Sequence, residues 1–191
     1  MKEIVLASGS PRRKEILENL NIDFKIIKSD IDEDIDKSMD PITYSMLLSF
    51  LKAEDIASKN KGIIIGADTV VSIDGEILGK PRDKKDAIDM LNKLNGNKHK
   101  VITGISLIDV ESNIRVVDYE ESFVYFRDLT HEEILSYVKV GESFGKAGSY
   151  AIQGYGGLLV EKIEGCYFNI VGLPISKLNF LLKSHFDYSI L

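Results

Sequence analysis

The stretch Gly62-Ile63-Ile64-Ile65-Gly66-Ala67-Asp68-Thr69-Val70-Val71 decides the fold. It does not alternate as a half-exposed strand would, and a nearly continuous apolar run of this kind is expected of a central strand covered on both faces. Asp68 alone interrupts it. Strand-like runs alternate with helical ones around this segment, which predicts an α/β protein with a mixed twisted sheet and helices on both faces. Upstream, a strand at Glu3 to Ala7 leads into a helix from about Pro11 to Leu20, with Ile16, Leu17 and Leu20 on one face. Ser10 is expected to cap it, with Pro11 at its first position. Asp40-Pro41 opens a second helix to about Lys59. It offers Leu47, Phe50, Leu51 and Ala57 for burial and leaves Lys52, Glu54 and Asp55 on the exposed side.

Downstream, Asp74-Gly75 is a hairpin signal that pairs Val70 to Ile73 with Glu76 to Leu78, and Gly79-Lys80-Pro81 forms the exit. A helix from about Lys84 to Leu94 ends at Asn95-Gly96. Strands near Lys100 to Val110 and Arg115 to Phe126 lead to a helix opened by the capping-box pattern Thr130-His131-Glu132-Glu133. The glycine-rich stretch Gly145 to Gly157 precedes a strand at Leu158 to Ile163, and Pro174 begins the last helix. Without a repeat, a low-complexity tract or a linker, residues 1–191 read as a single folded unit.

The composition bounds the function. The 191 residues are 44% hydrophobic and 28% charged, with 30 acidic against 24 basic side chains and a formal charge of −6. A chain of this length buries roughly 70% of its unfolded surface and needs no staples. Its single cysteine, Cys166, rules out an intrachain disulfide, and no usual zinc spacing is present, which fits a reducing, cytoplasmic setting. The apolar run after Met1-Lys2-Glu3 is too short for a signal peptide, and no run approaches the roughly 20 residues of a membrane span. The acidic balance argues against a general nucleic-acid binder, which wants a basic face.

Several segments depart from ordinary local preferences. Ser8-Gly9-Ser10-Pro11-Arg12-Arg13 places two arginines in a first helical turn, where the helix dipole disfavours cations. Either a bound phosphate chain compensates them, or the guanidiniums point to solvent or pair with acidic surface; the motif alone does not choose. Asp30, Asp32, Glu33, Asp34, Asp36 and Asp40 face only Lys37. A helix-loop-helix calcium site fails, because Ile35 and Pro41 stand where glycine and glutamate are required. The tract is expected to be a solvated loop from which one or two carboxylates turn inward to hold magnesium. Asp68 is expected at or near the carboxyl end of its buried strand, where sites collect in α/β proteins, and must be metal-bound, hydrogen-bonded or facing a cleft. Lys80 is within reach of the same cleft. Small residues from Gly145 to Gly157 allow close backbone approach, and the Gln153 amide carries the donors and acceptor to read a base edge.

These segments, together with Gly79-Lys80-Pro81, Val101-Ile102-Thr103-Gly104, Lys146-Ala147-Gly148 through Gln153-Gly154 and Val171-Gly172-Leu173-Pro174, resemble the Maf family of nucleoside triphosphate pyrophosphatases. The resemblance runs from the first strand to the last helix. It implies hydrolysis of a nucleoside triphosphate to the monophosphate and pyrophosphate with a divalent cation, Mg2+ or Mn2+, on two lobes around a cleft. Ala151-Ile152-Gln153-Gly154 is similar to the subgroup acting on dTTP and UTP; the 7-methyl-GTP subgroup carries an acidic residue in place of Gln153.

The resemblance implies that Arg12, Thr69 and Gln153 set specificity and that Asp68 is the general base. It also implies that Glu33 and Lys52 join the active site. On that basis Glu33 and Asp68 are expected to hold the metal, and Arg12, Arg13, Lys52 and Lys80 to neutralise phosphates. Ser8 and Ser10 would add uncharged donors. Gly145 stands where many bacterial members have aspartate. A homodimer is implied only by the resemblance. The rival readings are a nucleotide-binding regulator of cell division or septum formation, and a pyrophosphatase for a modified purine nucleotide.

Overall fold

The computed structural model describes residues 2–33, 35–36 and 38–191. Met1 and, in the acidic tract, Asp34 and Lys37 lie outside the described residues. In chain order the elements are β1 (Ile4–Leu6), α1 (Pro11–Asn19), β2 (Phe24–Ile26), α2 (Pro41–Ala57), β3 (Ile63–Ile73), β4 (Glu76–Leu78) and α3 (Lys84–Leu94). They continue with β5 (Lys98–Asp109), β6 (Ile114–Phe126), α4 (His131–Val140), β7 (Val160–Glu164), α5 (Tyr167–Val171) and α6 (Ile175–Phe186). Two 3-10 turns, Ala147–Ser149 and Gly154–Leu159, fill the glycine-rich stretch. The seven strands form one mixed sheet in the order β2-β1-β3-β5-β6-β7, with β4 on β3. β2 and α5 escape the sequence reading because they are short, three and five residues, and β2 is partly to fully exposed.

The chain divides into two compact units. The first comprises residues 1–68, 103–120 and 172–191; the second comprises 69–102 and 121–171. In the first, β1 runs parallel to both β2 and β3, with Ile4, Val5 and Leu6 opposite Ile63, Ile64 and Ile65. All six are essentially buried, so both faces of this pair are covered, as the unbroken apolar run requires. One face belongs to α2: Val5, Ala7, Ile64 and Ile108 pack with Ala53, Ile56 and Ala57. In the second unit, Val71, Ser72 and Ile73 pair with Leu78, Ile77 and Glu76 in the hairpin that Asp74-Gly75 turns. Its core gathers Val71, Leu91, Leu94, Phe126, Ile134 and Tyr137.

The seat of α2 is set by backbone contact. A Cβ on Gly66 would lie 2.2 Å from the Ser49 carbonyl oxygen, and one on Gly104 would lie 2.3 Å from that of Ser45. Both distances are far below van der Waals contact, so glycine is required for the helix to approach this closely. The face of α2 turned to the strands is therefore small and polar as well as apolar: Tyr44, Ser45, Leu48, Ser49, Lys52, Ala53, Ile56 and Ala57 are buried. The Ser45 and Ser49 hydroxyls are satisfied by Ile42 O, Met46 O and Ser106 Oγ.

This corrects two expectations. Leu47, Phe50 and Leu51 are only half-buried, and Lys52 lies on the buried face rather than the exposed one. Asp40 does cap α2, accepting from the N–H groups of Ile42 and Thr43. Ser10, by contrast, makes no side-chain cap on α1.

Gly104→Ala is expected to lower stability by about 1–3 kcal/mol, because overpacking against rigid backbone forces the helix outward. The midpoint of urea unfolding checks this.

Candidate functional site

Asp68 does not end its strand, as expected from the sequence, but sits inside β3, which runs on to Ile73. The expectation holds for the parallel pairing instead. The last parallel link is the Ala7 N–H to Ile65 O bond at 2.8 Å, so Asp68 stands beyond the carboxyl end of β1, the end from which Ser8 also emerges. Side chains alternate along a strand, so Ile64, Gly66 and Asp68 share one face. That face carries α2. Residues 45, 49, 52, 53 and 56 recur at helical spacing on the opposed surface, which brings Lys52 one turn past Ser49 to Asp68.

The outcome is a cation between two carboxylates. Lys52 Nζ lies 2.6 Å from Asp68 Oδ1 and 2.8 Å from Glu33 Oε1. Lys52 and Asp68 are 8% and 9% exposed, while Glu33 reaches in from an exposed loop. Removing one partner of such a buried pair costs about 3–5 kcal/mol, since a charge is left without compensation. From the acidic tract, Glu33 pairs with a buried cation. Asp36 closes a local turn on Ser38, whose two hydrogen bonds hold its carboxyl below the usual range, and Asp40 is spent on the α2 cap.

The β1–α1 turn is organised by Ser8. Its Oγ accepts from Ser10 N–H at 3.2 Å and from Arg13 Nη1 at 3.0 Å, and Arg13 Nε donates to Gly172 O at 2.7 Å. Arg13 is thus buried and braced, not solvent-directed, and half-buried Arg12 lies beside it. Burial lowers the Arg13 pKa from its usual value, Asp68 and Glu33 oppose that shift, and Arg12 adds to it. The arginines and the carboxylates therefore share one electrostatic field within the first unit. Ser8, Ser10, Arg12, Arg13, Glu33, Lys52 and Asp68 all belong to this unit.

Thr69, Lys80 and Gln153 belong to the second. Lys80 is exposed in a loop tied at Gly79 O, which accepts from Gly148 N–H at 3.1 Å. Gly148 itself is left-handed, φ 65°, and a Cβ there would strike Val71 at 2.8 Å. Gly145 is also left-handed and open to space, φ 71°. The loop that follows rests on groups that sequence reasoning did not assign. Tyr150 Oη meets Nε2 of buried His99 at 2.8 Å, and both rings pack edge-on with Phe126. Buried aromatics and a histidine amid apolar residues read as core, and only their placement under the loop reveals more.

The carboxylate pair suits a divalent cation. Both members converge on one nitrogen, at 2.6 and 2.8 Å, so they lie close enough to share a small cation once Lys52 gives way, and two carboxylates completed by phosphate oxygens form an ordinary magnesium donor set. Among the described residues no group of three His, Cys, Asp or Glu is positioned to hold a metal by itself.

A buried lysine–aspartate pair, joined from an exposed loop by Glu33, thus lies in the same unit as a braced Ser-Gly-Ser-Pro-Arg-Arg turn. The family described as Maf-like protein matches residues 3–185. The chain belongs to the Maf family. It is 53% identical over 185 residues to the dTTP/UTP pyrophosphatase of Ruminiclostridium cellulolyticum, with 96% of each chain covered. It is 55% identical over 188 residues to that of Clostridioides difficile, covering 98% of this chain and 97% of the other. Among solved structures, the Staphylococcus aureus Ham1 protein matches 66% of this Maf family member and 73% of its own chain, with a TM-score of 0.47 and 18% identity. Among the described residues no helix is long and apolar enough to cross a membrane.

Burial pushes the His99 pKa down to about 4. The unfolded chain therefore takes up a proton near pH 6.5 that the folded chain refuses until about pH 4. Stability is full above pH 6.5 and falls through that window, by on the order of 3 kcal/mol. Urea melts from pH 7 to 4 are expected to show a shallower acid loss in His99→Gln than in the parent.

Proposed function

We propose that the chain is a nucleoside triphosphate pyrophosphatase that hydrolyses dTTP and UTP to the monophosphate and pyrophosphate, with residues 1–191 acting as one catalytic domain. The observation that carries this reading is the Lys52 ammonium held between buried Asp68 and the exposed-loop residue Glu33, which gathers acid, base and cation-binding groups at one point. The names of the relatives at about half identity support the choice of substrate.

Hydrolysis between the α and β phosphates needs an oriented water, relief of phosphate charge and a stabilised leaving group. Asp68 takes the proton of the water that attacks the α phosphorus, as the bond from that phosphorus to the bridging oxygen breaks and pyrophosphate departs. Lys52 fixes the carboxylate through Oδ1, which leaves the acceptor work to Oδ2. Glu33 and Asp68 would hold Mg2+ or Mn2+, whose chemistry is to neutralise triphosphate oxygens and acidify bound water. Arg12 and Lys80 bind phosphate oxygens, and Arg13, with Nε and Nη1 committed, contributes chiefly its charge. Ser8 and Ser10 border the same turn with neutral donors. Arg12, Thr69 and Gln153 select the nucleotide, with Gln153 at the base edge. The setting of this reading is the cytoplasm, in cleansing of the nucleotide pool, and a second copy of the chain is its expected partner.

A panel of canonical and modified nucleoside triphosphates, assayed for pyrophosphate release with Mg2+ or Mn2+, tests the assignment. Fastest turnover is expected on dTTP and UTP. Binding without release would favour a regulator of cell division, and preference for 7-methyl-GTP or another modified purine would displace the pyrimidine assignment. Asp68→Asn is expected to cut kcat by at least a hundredfold while circular dichroism stays unchanged; substantial turnover in the folded variant would remove Asp68 as the base. Gln153→Glu should lower kcat/KM for UTP and dTTP more than for purine nucleotides, and equal loss across the panel would remove Gln153 from base reading.

A further inference from the structure

Gln153 lies in a short loop of the second unit whose backbone is tied down from both sides by side chains of other segments. Upstream, Tyr150 is fixed by His99, and the Ala151 N–H donates to Tyr137 Oη of α4 at 3.2 Å. Downstream, Glu142, just past the end of α4, accepts the Tyr155 N–H at Oε1 and the Gly156 N–H at Oε2, both at 3.1 Å. The loop closes tightly between these anchors. A Cβ on Gly156 would lie 2.0 Å from Ala151 O, and one on left-handed Gly154 would lie 2.4 Å from Glu142 Oε1. Ile152 and Gln153 are left half-buried between the two tethers.

The carboxylate matches its task. It is acceptor-only and meets two N–H donors with two oxygens, at the first amides of a 3-10 turn that have no partner within the turn. Exact placement matters because of what a base edge presents. Uracil and thymine offer a carbonyl acceptor beside an N–H donor, and cytosine offers the reverse. A glutamine amide satisfies either by turning over, so separating them requires the half-buried side chain to be held in one orientation, and a fixed backbone is what lets its surroundings hold it.

We propose that Glu142 is a positioning residue for base selection: by holding the Tyr155 and Gly156 amides it fixes the turn that presents Gln153, and so sets discrimination between UTP or dTTP and CTP without touching the nucleotide. The inference rests on the reading of Gln153 as the base-contacting residue. Tyr137 and the His99–Tyr150 pair secure the opposite end of the same loop, so Glu142 is the tether that can be released without opening the aromatic core.

The test compares Glu142→Gln, Glu142→Ala, Gln153→Ala and the Glu142→Ala/Gln153→Ala double variant. Glu142→Gln keeps the size but turns one acceptor into a donor facing an N–H. Both Glu142 variants are expected to raise KM for UTP and shrink the UTP-to-CTP ratio of kcat/KM about tenfold, with kcat at saturating UTP within about twofold of the parent. Amide hydrogen exchange at Tyr155 and Gly156 should quicken in both. In the Gln153→Ala background, Glu142→Ala should change the ratio no further.

Three outcomes overturn the proposal: an unchanged ratio in both Glu142 variants while Gln153→Ala collapses it, a uniform fall in kcat for every nucleotide, or additive losses in the double variant. A parental ratio in Gln153→Ala instead overturns the base-reading role itself, so failure of that reading and failure of the tether are told apart. Glu142→Gln keeps the test open should the alanine variant unfold.

Discussion

The close seat of α2 on the strands at Gly66 and Gly104 is the constraint on which the first unit depends. Helix backbone stands where any side chain on those strands would be, with would-be Cβ positions 2.2 Å and 2.3 Å from helix carbonyl oxygens. Where it crosses those two glycines, a helix held at that distance presents Ser45, Ser49 and Ala53 to the sheet, while Leu48 and Ile56 fill the space to either side. The same closeness lets a lysine one turn further along bury its stem and still bring its charge to a strand carboxylate. Had the helix been spaced by leucines, the Lys52 ammonium would not meet Asp68 at 2.6 Å.

Placing charges this way is costly in the abstract, since buried ions lose hydration, and the cluster compensates by pairing each one. Lys52 answers two carboxylates, and Arg13 is bonded to Gly172 O and Ser8 Oγ while lying in the field of Asp68. The β1–α1 turn thus exchanges the usual acidic first turn for a braced guanidinium. A triphosphate is the kind of ligand whose charge suits such a field.

The second unit uses a different device for a different purpose. Glycines again permit tight approach, at Gly148 on Val71 and at Gly156 on Ala151 O, but here they shape a loop rather than seat a helix. Polar side chains finish it: Tyr137, Tyr150 with His99, and Glu142 satisfy groups that a loop of this tightness leaves open. Order in this stretch comes from tethers, which is why a glycine-rich sequence here is not a flexible linker.

Much was legible in the sequence because it depends on near neighbours. The apolar run at Gly62 to Val71 required cover on both faces, Asp74-Gly75 required a hairpin, and Asp40 and Thr130 marked helix starts by their capping chemistry. The family, too, was carried by motifs spread along the chain. What the residues alone did not determine was which way α2 faces. Hydrophobicity favoured Leu47, Phe50 and Leu51, yet the buried side is the smaller and more polar one, because the fit to Gly66 and Gly104 outweighs apolar area. Lys52 therefore read as a surface lysine on its own helix, Ser10 as a cap, and Glu142 as an unremarked residue after a helix. Their partners, Asp68, Ser8 and the amides of residues 155 and 156, stand apart from them in the chain or are chosen by the turn they share. Such choices rest on distances between backbones, which only the tertiary fold fixes.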